Sequence, residues 1–170
     1  MAIENKTFNS EYGFGVSETP VVDESRNILN INTITVQNEN FTNASKYCYI
    51  TSGTNNTILT SDGILVPTLA NNTINFITTK LIGVNFSGTG HYVVNFEVNA
   101  TVDGSGNVSL LSELKTIIKD SIPANEIWTV SPYGSGGANE YSYAVTRGGT
   151  LDTIKWTAYS EVVSIDWSAW

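Results

Sequence analysis

ILNINTITV, Ile28 to Val36, sets Asn and Thr against Ile and Val in nearly strict alternation. A period of two belongs to a strand with one face buried and the other wet or against a partner. The same chemistry recurs on either side. Val21-Val22, Lys46 to Thr51, Thr57 to Thr60, Ile64 to Val66, Thr73 to Ile82, His91 to Val102 and Val108 to Leu111 are rich in β-branched or aromatic residues. So are Glu126 to Val130, Tyr141 to Thr146, Leu151 to Tyr159 and Val162 to Trp167. Polar turns separate them at Gln37 to Ser45, at Ser61-Asp62-Gly63 and at Arg147 to Thr150, where the chain is expected to fold back as a hairpin. About nine to eleven short strands with a turn signal every ten residues or so predict an all-β chain, an antiparallel β-sandwich or jelly roll.

One segment departs from that period. Leu114, Ile117, Ile118 and Ile122 share a helical face, with Ser112 as N-cap, Glu113 in the first turn, Lys119 near the last and Pro123 as the stop. The pattern predicts a short helix over about 112–122. Residues 1–20 form no regular period and predict an extended arm, whose Phe8, Tyr12 and Phe14 must dock on this domain or a neighbour. The expected organisation is therefore an arm at 1–20, an assembly hairpin or strand at 21–36, and a β-sandwich at 37–170.

The 170 residues fit one ordinary domain, and only 14% are charged, so Asn, Thr and Ser must supply surface polarity. A net charge of −8 opposes binding to nucleic acid phosphates. No apolar run approaches the length of a membrane span, and the first residues lack the basic and apolar regions of a signal peptide. Without such a signal, the sequons at Asn5, Asn40, Asn43, Asn55, Asn71, Asn85, Asn99 and Asn107 reflect composition rather than glycans. Cys48 stands alone, so no disulfide framework exists within the chain and a buried, inert thiol is expected.

Catalytic patterns are absent from the spacing. His91, the single histidine, follows a Gly-rich turn with no nucleophile elbow near it, and one His with one Cys cannot furnish a zinc site. Ser135-Gly136-Gly137-Ala138 lacks the lysine of a phosphate-binding loop. Asp103-Gly104-Ser105-Gly106-Asn107 holds a single carboxylate, which favours a hairpin turn over a calcium loop. No catalytic residue, metal or cofactor is assigned, and a non-enzymatic chain is expected. Sugar stacking is the remaining site chemistry: Trp128, Tyr133, Tyr141, Tyr143 and Trp156, around the loop 131–139, are the candidate platform residues.

Gly13-Phe14-Gly15-Val16, followed after a spacer by Val21-Val22-Asp23-Glu24-Ser25-Arg26-Asn27-Ile28-Leu29-Asn30-Ile31, resembles a segment recurring in virion structural and tail-fibre-like proteins of tailed bacteriophages, especially marine and cyanobacterial ones. It covers about a tenth of the chain. In physical terms, Asp23 caps an Asx-turn, Asn27 tolerates positive φ, and Val21-Val22 pairs with Ile28-Leu29. The resemblance implies a virion component assembled in the host cytoplasm, associated with other capsid or tail proteins and most often a homotrimer. The expected function is structural, as capsid decoration or short fibre. Its interface would involve Phe8, Tyr12, Phe14, Val21, Val22, Asp23, Arg26, Asn27, Ile28 and Trp170. The alternative is a receptor-binding fibre module that recognises host cell-surface polysaccharide.

Overall fold

The computed structural model describes residues 14–16, 19–22, 33–38 and 41–168, which divide between two compact units, 1–32 and 33–170. In the first unit, β1 (Phe14–Val16) and β2 (Thr19–Val22) pair as an antiparallel ribbon with Phe14 opposite Val22. Val22 therefore has Phe14 as its backbone partner in the ladder. The proposed partners Ile28 and Leu29 lie outside the described residues, as do Phe8, Tyr12, Asp23, Arg26, Asn27 and Trp170.

The second unit is a β-sandwich. One sheet has six strands in the order β3 (Thr33–Asn38), β4 (Phe41–Thr54), β11 (Ile154–Asp166), β6 (Thr73–Asn85), β7 (His91–Val102), β8 (Val108–Asp120). The other has three, β5 (Thr57–Ile58), β10 (Tyr141–Gly148) and β9 (Ile127–Gly134). Every pairing is antiparallel. Thr33 to Val36 thus belongs to the large sheet, where Ile34 pairs with Cys48.

Alternation along β6, β7 and β11 builds the core. Ile77, Leu81, Val94, Phe96, Val98, Trp156, Ala158 and Val162 point inward and are buried, meeting Trp128, Val130, Tyr141, Tyr143 and Val145 from the small sheet. Phe96 packs on Tyr143 at 4.9 Å between ring centroids, and Trp128 meets the edge of Trp156 at 5.8 Å. A hydroxyl chain crosses between the sheets. Tyr141 donates to the Tyr143 hydroxyl at 3.1 Å, Tyr143 donates to Thr79 Oγ1 at 2.8 Å, and Thr79 shares a 2.8 Å bond with Ser160. Burial above all pushes the Tyr143 phenol up to about 12 and the Tyr141 phenol higher still, so both stay neutral donors.

Among the described residues there is no helix, and the expected helix over 112–122 is instead edge strand β8. Its register explains the misreading. Ser112 pairs with Asn99 but Leu110 with Ala100, and Lys119 pairs with Val93 but Ile117 with Val94, so Leu111 and Ile118 are each an extra, bulged residue. Two bulges shift the apolar positions out of period two and toward helical spacing. Lys115, opposite inward-facing Phe96, points into the sandwich, where its ammonium donates to the Val130 carbonyl at 3.0 Å and lies 5.5 Å from the Tyr92 and Phe96 ring centres. Bulges and an inward-facing charge are devices that blunt an exposed sheet edge.

Other boundaries also move. The expected hairpin across Arg147 to Thr150 is a crossover, since β10 and β11 lie in different sheets. Val162 to Trp167 is not a separate strand, because β11 runs unbroken from Ile154 to Asp166. Ile64 to Val66 forms no strand, and Asp62 instead holds a turn by accepting from the Ile64 and Leu65 amides. The hairpin at 103–107 forms as expected: Asp103 accepts from the amides of Ser105 and Asn107 and from the Asn107 side chain, and Gly106 takes φ 81°.

Candidate functional site

Four of the five aromatics expected to stack on sugar are core residues. Trp128 is 4% exposed, Tyr141 and Tyr143 0%, and Trp156 2%. Inward-facing positions of β9, β10 and β11 place these rings between the sheets, and their polar atoms are engaged there. Trp128 Nε1 donates to Glu126 at 2.7 Å and Trp156 Nε1 to the Asn55 carbonyl at 3.1 Å. No face remains on which a pyranose ring could stack, which corrects that expectation for these four. Tyr133 is half-buried within β9, opposite Ser142, rather than at the tip of a loop.

The open aromatic surface lies elsewhere, on the outer face of the six-stranded sheet. The register sets its side chains in rows. Val36, Lys46, Val163, Phe76 and Asn99 form one; Ile34, Cys48, Glu161, Thr78, Glu97 and Leu114 form the next; Ile50, Tyr159, Lys80, Asn95 and Thr116 form a third. Directly opposed residues in an antiparallel ladder project to the same face, so each row is a line of neighbours roughly 5 Å apart.

Two hollows open on this face, one on either side of a ridge formed by Tyr159 and Glu161. The first, of about 230 Å³, is walled by Thr78, Lys80, Asn95 and Glu97. The second, of about 210 Å³, is walled by Ile34, Val36, Lys46 and Cys48. The first hollow exists because Thr78 and Asn95 are short where Lys80, Glu97, Tyr159 and Glu161 around them are long.

Local bonds hold the ridge in place. The Tyr159 hydroxyl donates to Glu161 Oε1 at 3.1 Å, and Lys46 Nζ lies 2.9 Å from Glu161 Oε2. The Lys46 hydrogen bond, then that from Tyr159, then the lysine charge hold the Glu161 carboxyl below its ordinary range, and the same pair raises Lys46. The Tyr159 phenol is pushed up to about 12, first by the Cys48 thiol beside it and then by burial and Glu161. At neutral pH the ridge thus presents a neutral phenol ring, 40% exposed, beside a carboxylate already neutralised by an ammonium. An aromatic face with hydroxyl, amide, ammonium and carboxylate groups around it has the chemistry to stack a sugar ring and bond its edges.

Sequence reasoning missed Tyr159. Trp156, Ala158, Ser160 and Val162 alternate with Thr157, Tyr159, Glu161 and Val163, and both sets mix apolar with polar. Neither face of β11 is marked as the core face until Trp156 is placed inside, which then puts Tyr159, three residues on, outside.

The chain matches no protein-family model, and no curated protein matches it. Among solved structures it is similar to the tailspike protein gp49 of Acinetobacter baumannii bacteriophage Fri1, a capsular polysaccharide depolymerase. The TM-score is 0.47 and the identity 16%, over 82% of this chain and 20% of the tailspike. The chain therefore spans about a fifth of that protein's length. The expectation of a chain without enzymatic activity is corrected on this finding, since the tailspike is an enzyme.

Proposed function

We propose that the chain is a receptor-binding module of a tailed-bacteriophage virion that recognises host cell-surface polysaccharide through the outer face of its six-stranded sheet. The exposed Tyr159 ring, standing beside the hollow walled by Thr78, Lys80, Asn95 and Glu97, is the observation that carries this reading. The bacteriophage context comes from the resemblance of the Gly13 to Ile31 segment. On an array of bacterial surface polysaccharides, the protein should bind a restricted set, and Tyr159→Ala should weaken that binding about tenfold with the thermal transition unchanged. Flat binding across the array, or retention of full affinity by the variant, refutes the reading.

A second reading, association with other copies or other virion proteins, is favoured by the apolar end of the same face. Val36, Ile74, Phe76, Val163, Ile165 and Trp167 each leave 38% to 65% of their surface open. Apolar patches on that scale mark interaction surfaces. Light scattering on the wild type and on Phe76→Lys tests it: an oligomer that the substitution dissociates supports association, and a monomeric wild type at high concentration refutes it.

A further inference from the structure

The outer face of the six-stranded sheet has the opposite charge balance to the rest of the chain. Of eight lysines and arginines in a protein of net charge −8, four project from it: Lys46 on β4, Lys80 on β6, Lys155 on β11 and Lys119 on β8. Lys119 is placed there by its pairing with outward-facing Val93. Only Glu97 and Glu161 oppose them among the described positions of these rows. Glu161 is already engaged by Lys46, the one ion pair among the described residues. Among the described residues, Lys80, Lys119 and Lys155 thus carry unpaired ammonium groups around Tyr159, with Glu97 the only unpaired acid between them.

Their spacing suits a linear polymer better than a small ion. Lys80 pairs with Tyr159, and Lys155 stands four residues from Tyr159 along β11, about 13 Å at strand rise. Lys119 lies two strands across from β6 and one side-chain row along, roughly 12 Å from Lys80. Acidic groups repeated along an extended glycan can reach lysines set that far apart along and across the strands in turn.

Resting on the polysaccharide reading above, we infer that the ligand is an acidic polysaccharide, whose carboxylate, sulfate or phosphate groups are taken by Lys80, Lys119 and Lys155 while a sugar ring stacks on Tyr159. Acidity of the ligand also answers a long-range problem. A chain of net charge −8 repels a polyanion as a whole, whereas a local cationic face draws it in, so the face sets the orientation of approach.

The test presents bacterial polysaccharides bearing carboxylate, sulfate or phosphate, each beside a carboxyl-reduced, desulfated or dephosphorylated counterpart, to the full chain and to its Lys80→Gln, Lys119→Gln and Lys155→Gln variants. Native acidic polymers should bind and their neutralised counterparts should not. Each substitution should weaken binding about two- to fivefold, the three together tenfold or more, and raised salt should mimic them. Which acidic series binds distinguishes the three sources of charge. Equal binding of native and neutralised polymers, or an unaffected triple variant, overturns the charge requirement while leaving the Tyr159 reading intact. Absence of binding to any polysaccharide overturns both.

Discussion

Gly83→Ala should destabilise the sandwich, although in a strand that exchange is ordinarily favourable. Gly83 faces inward on β6, directly opposite Trp156 on β11. A Cβ there would lie 2.2 Å from Cζ3, 2.4 Å from Cε3 and 2.9 Å from Cη2 of the indole. Ordinary carbon contacts begin near about 3.5 Å, so the ring would have to retreat by more than about 1 Å. It has no room to do so: Trp156 is 2% exposed, anchored by Nε1 to the Asn55 carbonyl at 3.1 Å and blocked by the Trp128 ring. Replacing a strand glycine gains about 0.5–1 kcal/mol in chain entropy, whereas overpacking a core costs about 1–3 kcal/mol, and more where the neighbour is pinned. The clash wins, by about 2 kcal/mol, or roughly 6 °C in Tm for a domain of this size. Urea unfolding followed by tryptophan fluorescence and circular dichroism measures it. In a Trp156→Leu background the indole is gone and Gly83→Ala should become neutral or stabilising, a coupling of about 2 kcal/mol between the two positions. A Gly83→Ala protein as stable as wild type, or no coupling in the cycle, refutes the reasoning.

Tyr143→Phe removes the acceptor of the Tyr141 hydroxyl and the donor to Thr79, leaving the Tyr141 hydroxyl unpaired in the core, and should cost about 2–3 kcal/mol by denaturant titration. Replacing both tyrosines by Phe leaves no orphaned phenol and should cost less than the two single losses added; strict additivity would show that the hydroxyl chain is not a unit. Lys46→Met should lower Tm slightly, since an exposed pair contributes little. The contribution of Glu161 is complete above its ordinary pKa of 4.5 and is lost as pH falls through its lowered folded value. That of Lys46 is complete below 10.5 and is lost as pH rises through its raised folded value. The Tm gap between wild type and variant should therefore close at both extremes, and a gap unchanged at pH 2 would show that it does not arise from the ion pair.

Period two was legible wherever a strand runs straight. Thr73 to Ile82 and His91 to Val102 were located from the residues to within a few positions, and the Asp103 turn was recognised from its glycines and single carboxylate. Legibility failed at β8, where bulges at Leu111 and Ile118 change the side-chain parity twice within one strand. It failed again after Gly148, where two strands joined by a short link separate into different sheets. A turn signal records that the chain changes direction and says nothing of which sheet receives the next strand.

Sequence by itself determined the all-β antiparallel class, because alternation of β-branched with polar residues is a local property that survives any arrangement of strands. It also determined the acidity of the whole chain. Tertiary structure decided which aromatics are available. Trp128, Tyr141, Tyr143 and Trp156 are as rich in sugar-stacking surface as Tyr159, but closing one sheet over the other buries those four and leaves Tyr159 outside. Pairing across strands far apart in sequence also gathers Lys46, Lys80, Lys119 and Lys155 onto one face. Net charge is a sum over composition, whereas the potential a ligand meets depends on which charges share a surface.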